Sequence, residues 1–130
     1  MEKLFFAAQK SDLVTLCLAA LNQQLHTATC EWDPRPALSV VAAAKDYPEQ
    51  NQKGAIITGL NQTLDRDSKI FHAGTSFQDK QIVTDGGRIL SAMALGDSFQ
   101  EAQTKAYTIL KAIHWDGMAY RQDIGYQVIS

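Results

Sequence analysis

The chain has 130 residues, of which 45% are hydrophobic and 20% are charged. This length allows one hydrophobic core and is too short for several independent domains, so we expect a single main domain. A net charge of -2 and a pI near 5.8 give no broad positive field, which argues against a nucleic-acid partner. The sequence has no apolar run near the roughly 20 residues that cross a bilayer, and its first residues turn polar too soon for a signal peptide. We therefore expect a cytoplasmic protein with no membrane partner.

The first predicted element is a helix that begins after Ser11 as its N-cap and ends near Gln24. Its apolar residues recur at helical spacing and form one stripe: Leu13, Leu16, Cys17, Ala20 and Leu21. The only other cysteine is Cys30, and the two lack metal-site spacing, so we expect reduced structural thiols rather than a disulfide. The pattern then lapses, and the prolines before residue 37 impose an extended entry into the next element.

Short strands and one long helix follow. Strands are predicted at 37–44, 55–58, 70–75, 81–84 and 88–95, with a polar surface loop at 46–54. Asp85-Gly86-Gly87 should join the last two strands as a hairpin, with positive φ angles at its glycines. Ser98 and Glu101 form a capping-box pattern before an apolar helical stripe that runs to about Ala112. Together these elements predict an α+β fold with a mainly antiparallel sheet and flanking helices.

One candidate binding site lies at the end of the strand predicted at 70–75. His72, Gly74 and Thr75 would present an imidazole and a hydroxyl to a polar or phosphorylated substrate. The alternative is a packed histidine that bonds to a neighbouring backbone carbonyl.

A second candidate is the turn that ends in Gly86, Gly87 and Arg88. Small residues let an anion approach backbone N–H groups, and an arginine adds bidentate donors. The alternative is ordinary turn chemistry with the arginine paired to a carboxylate.

The third candidate is a loop or domain contact formed by Tyr47, Pro48, Lys53 and Gly54, and its alternative is an ordered surface loop. Near the C-terminus we interpret Arg121 and Asp123 as a local ion pair that pins the tail. The sequence has no metal-ligand spacing, no nucleophile beside a base and no P-loop, so we assign no catalytic residue and no metal ligand.

A resemblance to a known family rests on five stretches of the sequence. They are Ala37-Leu-Ser-Val-Val-Ala-Ala-Ala-Lys-Asp-Tyr-Pro48, Lys53-Gly-Ala-Ile-Ile-Thr-Gly-Leu60, Lys69-Ile-Phe-His-Ala-Gly-Thr75, Thr84-Asp-Gly-Gly-Arg-Ile-Leu90 and Ala119-Tyr-Arg-Gln-Asp-Ile-Gly-Tyr126. From about Ser11 onward the chain resembles the C-terminal domain of the phosphoribosylamine–glycine ligases (glycinamide ribonucleotide synthetases), which are ATP-grasp enzymes. The resemblance implies a C-terminal domain of the rudimentary single-hybrid-motif type at 31–130, preceded at 1–30 by a helical remnant of the ATP-grasp domain.

The same resemblance implies an ATP-dependent carbon–nitrogen ligase that joins glycine to 5-phosphoribosylamine in de novo purine biosynthesis. The full-length enzyme would use ATP and Mg²⁺, and the matching glycine-arginine turn would face the cleft shared with the ATP-grasp body. The family's magnesium ligands and phosphate-binding lysines precede this region, and residues 1–10 do not match the strand expected there. We therefore expect this chain alone to be inactive, to bind no cofactor, and to need the N-terminal ATP-grasp portion as its partner.

An alternative is a free-standing, non-catalytic binding or assembly module that kept the fold. Such a module would self-associate through the Ser11–Gln24 helix, whose apolar stripe would have lost its neighbour.

Overall fold

The computed structural model describes residues 7–129. The strands are β1 (Ala37–Ala44), β2 (Gln52–Ile56), β3 (Ser68–His72), β4 (Thr75–Gln78), β5 (Gln81–Gly86), β6 (Arg88–Leu95) and β7 (Met118–Ala119). The helices are α1 (Leu13–Leu21), α2 (Phe99–Lys111) and α3 (Tyr126–Ile129). Among these helices, none combines the length and the apolar character that a membrane crossing needs.

The core lies between a four-stranded antiparallel sheet and α2. The sheet has the order β3-β6-β1-β7, and its second strand, β6, is buried from Ile89 to Leu95. Helix α2 packs on β6 and β1 through Ala102, Ala106 and the following apolar residues. The prediction of an α+β fold with antiparallel pairing and flanking helices is therefore confirmed.

Helix α2 begins as its capping pattern predicts. The Glu101 N–H donates to the Ser98 hydroxyl at 3.1 Å, and the Glu101 carboxylate accepts from the backbone N–H of Asp97 at 2.8 Å. These bonds satisfy N–H groups that have no partner inside the helix. Hydrogen bonding to Asp97 and Lys105 lowers the pKa of Glu101.

A second sheet has the order β2-β5-β4, and it corrects three predictions. The strand predicted at 70–75 is two strands, because the chain turns at Gly74 out of the first sheet and into the second. Strands β5 and β6 form no hairpin: β5 pairs with β2 and β4, whereas β6 pairs with β1 and β3. The loop predicted at 46–54 ends early, since β2 already begins at Gln52.

The glycines between β5 and β6 also differ from their prediction. Neither Gly86 nor Gly87 has a positive φ, because the chain crosses there from one sheet to the other instead of reversing. A tight reversal demands a left-handed backbone, and a crossover does not. These two glycines are instead needed for close packing, Gly86 against Gly74 and Gly87 against Tyr47.

Helix α1 starts and stops inside its predicted bounds. Asp12, not Ser11, is the N-cap: its carboxylate accepts from the Thr15 N–H and hydroxyl, each at 2.9 Å, and these bonds lower the pKa of Asp12. The Ser11 hydroxyl instead accepts from the Glu31 N–H at 2.7 Å. The helix ends at Leu21 rather than Gln24.

The part of the chain before β1 folds back on itself without a core. Backbone bonds join Lys10 to Glu31 at 2.9 Å and Asp33 to Ala8 at 2.6 Å. We call residues 7–36 the N-terminal segment; none of them is buried. The large apolar side chains that it exposes are Leu13, Val14, Leu18, Leu21, Leu25 and Trp32. Cys17 and Cys30 are free and exposed.

Candidate functional site

The two sheets meet where Gly74 lies against the β5–β6 crossover. The Gly74 N–H donates to the Arg88 carbonyl at 2.9 Å, and the Gly74 carbonyl accepts from the Asp85 N–H at 2.7 Å. A Cβ on Gly74 would lie 3.0 Å from the Gly86 Cα and 2.8 Å from the Arg88 carbonyl oxygen. Only glycine fits this contact, so the predicted glycines are needed to bring two backbones together.

The loop after β1 packs against the same β5–β6 crossover. A Cβ on Gly87 would overlap the Tyr47 ring, at 2.9 Å from its Cε2 atom, and would lie 2.8 Å from the Asn51 side-chain oxygen. The Gly87 carbonyl also accepts from the Ala44 N–H at 2.8 Å. Tyr47, whose peptide bond to Pro48 is cis, therefore covers Gly87 directly.

Beside Tyr47 the surface opens into a cleft of about 380 Å³, which we call the basic cleft. Its lining includes the three cations Lys45, Arg88 and Arg121. Two tyrosines and the small apolar residues of β1 and β7 also line it: Tyr47, Tyr120, Val41, Ala43, Ala44 and Ala119. Within the described chain, no carboxylate contributes to its lining. A lining that combines small apolar and aromatic residues with three cations is typical of a site for an organic anion.

The two arginines that line this cleft differ in how they are held. The Arg121 guanidinium donates two hydrogen bonds to the Asp123 carboxylate, from Nε at 2.9 Å and from Nη2 at 2.8 Å. The predicted ion pair is therefore confirmed. This pairing lowers the pKa of Asp123. Arg88 is exposed, and its side chain forms no hydrogen bond or ion pair with any residue of 7–129. The alternative that Arg88 pairs with a carboxylate is therefore not observed.

His72 and Thr75 lie together but away from the basic cleft. The His72 Nδ1 atom is 3.1 Å from the Thr75 hydroxyl, so its partner is a side chain and not the backbone carbonyl of the packed alternative. His72 is exposed, and neither residue lines the basic cleft.

Lys53 and Gly54 do not belong to the loop that carries Tyr47. Both lie in β2, where Lys53 pairs with Asp85 at 3.5 Å on the open surface. Gly54 has a φ of 79° with open space around it. The structure thus brings Tyr47, Gly87 and Arg88 together and leaves these two residues outside.

Sequence reasoning missed the contribution of Lys45, Tyr120 and Arg121 to the cleft. They lie close to Arg88 because β1 pairs with both β6 and β7. No local sequence motif predicts that pairing. Among residues 7–129, no three histidine, cysteine or acidic side chains are placed to hold a metal ion.

Comparison with known proteins identifies the family. The family model described as phosphoribosylglycinamide synthetase, C domain, matches residues 37–127. The phosphoribosylamine–glycine ligase of Vibrio parahaemolyticus is 51% identical over 121 residues, which cover 93% of this chain and 28% of that protein. The corresponding enzyme of Pseudomonas syringae is 50% identical with the same coverage.

A solved structure agrees with these sequence relatives. The crystal structure of phosphoribosylamine–glycine ligase from Thermotoga maritima matches with a TM-score of 0.64 and 34% identity, over 85% of this chain and 29% of that one. The chain thus spans a little more than a quarter of the length of the proteins it matches. The resemblance found in the sequence is confirmed, and the chain belongs to the phosphoribosylglycinamide synthetase C-domain family.

Proposed function

We propose that this chain serves as the C-terminal part of a phosphoribosylamine–glycine ligase and forms one wall of its active site. The observation that carries the proposal is the match over 93% of the chain to enzymes with that name. In the complete enzyme, ATP would phosphorylate the glycine carboxylate, and the amine of 5-phosphoribosylamine would then attack the acyl phosphate. The products would be glycinamide ribonucleotide, ADP and phosphate.

Magnesium at a nucleotide site is held by carboxylates together with substrate phosphate oxygens. Among residues 7–129, no three histidine, cysteine or acidic side chains are placed to hold a metal ion. We therefore assign the binding of ATP and Mg²⁺ to the remainder of the enzyme. The contribution of this chain is the basic cleft, where the Arg88 guanidinium, which has no partner among residues 7–129, would bind a negatively charged substrate group.

The partner that we propose is the rest of the ATP-grasp portion of the enzyme, and α1 is the surface of this chain that packs on it. Val14, Leu18 and Leu21 are 63%, 53% and 78% exposed, and a helix this apolar is normally buried. The relatives have more than two thirds of their length outside the match, which supplies a partner large enough to cover it. On this proposal residues 1–30 belong to the preceding ATP-grasp domain, residues 31–130 form the C-terminal domain, and the whole enzyme is cytoplasmic.

Activity of the chain with and without that portion tests the proposal. The purified chain should form no glycinamide ribonucleotide and should not bind ATP–Mg²⁺ tightly. A fusion to the N-terminal portion of the Vibrio parahaemolyticus ligase should be active. The same two parts mixed as separate chains should be weaker, because association costs translational and rotational freedom. ATP-dependent amide formation by the chain alone, or an inactive but folded fusion, would contradict the proposal.

Arg88→Ala in the fusion tests the role of the basic cleft. Loss of a charge-assisted hydrogen bond should cost about 1.5–3 kcal/mol in kcat/KM, with little change in melting temperature. Lys69→Ala is the matched control, because Lys69 is an exposed cation on β3 outside the cleft. Unchanged activity with a lowered melting temperature would make Arg88 a scaffold residue.

His72 and Thr75 form a second candidate subsite, because their side chains bond to each other at an exposed corner. His72→Ala in the same fusion should raise KM if this corner meets substrate. An unchanged KM would show that His72, Thr75, Gly74 and Gly86 do not belong to the substrate site. The basic cleft would then be the only candidate site among the described residues.

The second candidate function is an assembly module, favoured by the same exposed face of α1. Light scattering of the chain at increasing concentration distinguishes the two functions. Self-association that disappears in the fusion supports the ligase function, because the exposed face of α1 would then contact either a second copy of the chain or the N-terminal portion. Self-association that persists in an inactive fusion supports the module.

A further inference from the structure

We propose that Arg35 is a positioning residue that fixes the direction in which the N-terminal segment leaves the sheet domain, residues 37–129. The inference rests on the proposed function, because the segment would continue into the ATP-grasp portion, whose orientation on this chain would then depend on Arg35. Arg35 would not contact substrate. It would act by keeping the two parts of the active site aligned.

The first support is the geometry of the Arg35 guanidinium, which bridges two carboxylates. Its Nε and Nη2 atoms donate to Asp33 at 3.0 Å and 2.8 Å. Its Nη1 and Nη2 atoms donate to Asp67 at 3.0 Å and 2.9 Å. Both contacts are bidentate, and all three side chains are mostly shielded from solvent. A guanidinium paired in this way fixes direction as well as distance. We call these three residues the Arg35 clamp.

The second support is the stiffness of the chain on the segment side of the clamp. Pro34 and Pro36 flank Arg35, and each proline fixes its own φ and restricts the residue before it. Backbone hydrogen bonds then join residues 31–33 to residues 8–10. The orientation of Arg35 is therefore passed to the segment and is not absorbed by a flexible linker.

The third support is the anchoring of Asp67 on the sheet side. The Asp67 N–H donates to the Asp65 carboxylate at 3.0 Å, and the Asp67 carbonyl accepts from the Leu95 N–H at 2.8 Å. None of residues 7–36 is buried, so apolar packing within the described chain does little to hold the segment. The polar clamp takes on that task.

The position of the clamp explains why its precision would matter for catalysis. Arg35 lies just before β1, and the basic cleft lies at the end of that strand, six residues and about 20 Å further on. A tilt of about 5° at the clamp would move the cleft by about 2 Å relative to the segment. A misplacement of about 1 Å can cost about 100-fold in rate. The clamp would therefore set the alignment of the cleft with groups held by the rest of the enzyme.

The distance between two spin labels tests the orientation in the chain itself. One label is attached to the exposed Cys17 on α1 and the other to Lys111→Cys at the exposed end of α2, in a Cys30→Ser background. The labelled chain is diluted with unlabelled chain, so that only distances within one molecule are measured. We expect a narrow distance distribution when the clamp is intact.

Variants of the clamp should change this distribution. Arg35→Gln and Asp67→Asn should each broaden it, and Arg35→Lys, which keeps the charge without the bidentate geometry, should lie between them and the native residue. Arg66→Gln is the matched control and should leave it unchanged, because Arg66 is an exposed neighbour of Asp67 with no hydrogen bond or ion pair within residues 7–129. If Arg35→Gln unfolds, Asp67→Asn decides, since it leaves the Asp33 pair intact.

Kinetics of the fusion test the consequence for catalysis. Arg35→Gln should lower kcat/KM for amide formation about 10-fold or more and should leave the dissociation constant of ATP–Mg²⁺ unchanged. A merely structural Arg35 predicts a lower melting temperature with unchanged label distances and unchanged kcat/KM below the transition, and that result would overturn the proposal. Unchanged label distances with an active fusion would reject the clamp alone, whereas an inactive native fusion would reject the ligase function.

Discussion

The N-terminal segment and the sheet domain after it use apolar residues in opposite ways. In α1, Leu18 is 53% exposed and no residue is buried, whereas in α2 Leu110 is 1% exposed. Helix α2 has one apolar face and a polar opposite face, and the sheet covers the apolar face. Helix α1 is apolar nearly all round, and no strand or helix of the described chain packs substantially on it. The sheet domain completes its own core, and the segment does not.

The largest expected effect contrasts these two helices. Leu110→Ala removes a buried side chain between α2 and the sheet, so it should lower the free energy of unfolding by about 2–5 kcal/mol. Leu18→Ala, the matched change on α1, should stay within about 0.5 kcal/mol. Urea unfolding of both variants measures the difference. Equal losses would mean that α1 is part of the cooperative core.

A smaller change in the free energy of unfolding is expected where the loop that carries Tyr47 packs on Gly87. Gly87→Ala places a methyl group against the Tyr47 ring, so it should cost about 1–3 kcal/mol and disturb the basic cleft. Tyr47→Ala removes the obstacle, so the double variant should be more stable than the sum of the two single losses. Strict additivity in thermal unfolding would show that the ring and Gly87 are not in contact.

Acid should loosen the connection between the two regions. Arg35 bonds to Asp33 in the segment at 2.8 Å and to Asp67 before β3 at 2.9 Å. Hydrogen bonds from Arg35 lower the pKa of Asp33 to about 2 and also lower the pKa of Asp67. A folded-state pKa below the unfolded value of 3.8 stabilises the fold above that pH, and the stabilisation is lost as the pH falls toward 2.

Melting temperatures at pH 5 and pH 2.5 measure this loss. The native chain should lose more stability between them than Arg35→Gln, which has no such pairs to break. The same loss in both proteins would exclude Arg35 as the cause.

The smallest effect is expected at Lys53. Its pair with Asp85 at 3.5 Å lies on the surface, so Lys53→Ala should change the free energy of unfolding by less than about 0.5 kcal/mol. The matched comparison is Arg121→Ala, which breaks a bidentate pair and should loosen the tail. A large loss at Lys53 would show that β2 depends on this pair.

Local signals in the sequence predicted the helices and strands themselves better than they predicted which strands pair. The bounds of β1 and β6 and the capping of α2 follow from apolar runs and from Ser98 and Glu101, all of which act within a few residues. The β5–β6 hairpin was wrong because glycines at a crossover and at a reversal look alike until the strand pairing is known. Arg88 and Tyr47 were singled out from the sequence, but their meeting with Arg121 depends on pairing over long range.

The exposure of α1 could be inferred only in part. Its apolar stripe predicted a helix that needs a neighbour, and the structure shows that residues 37–129 do not provide one. The correct N-cap depended on a choice between Ser11 and Asp12, two residues that cap equally well. The Ser11 hydroxyl accepts a hydrogen bond from the Glu31 N–H instead, because the N-terminal segment folds back on itself.

Hydrogen exchange of α1 tests the contrast between the two regions most directly. In the chain alone, α1 amides should exchange with opening free energies near zero, while β6 amides should exchange only through global unfolding. In the fusion to the N-terminal portion of the Vibrio parahaemolyticus ligase, α1 amides should become strongly protected. Protection of α1 equal to that of β6 in the chain alone, or no gain in the fusion, would contradict the account.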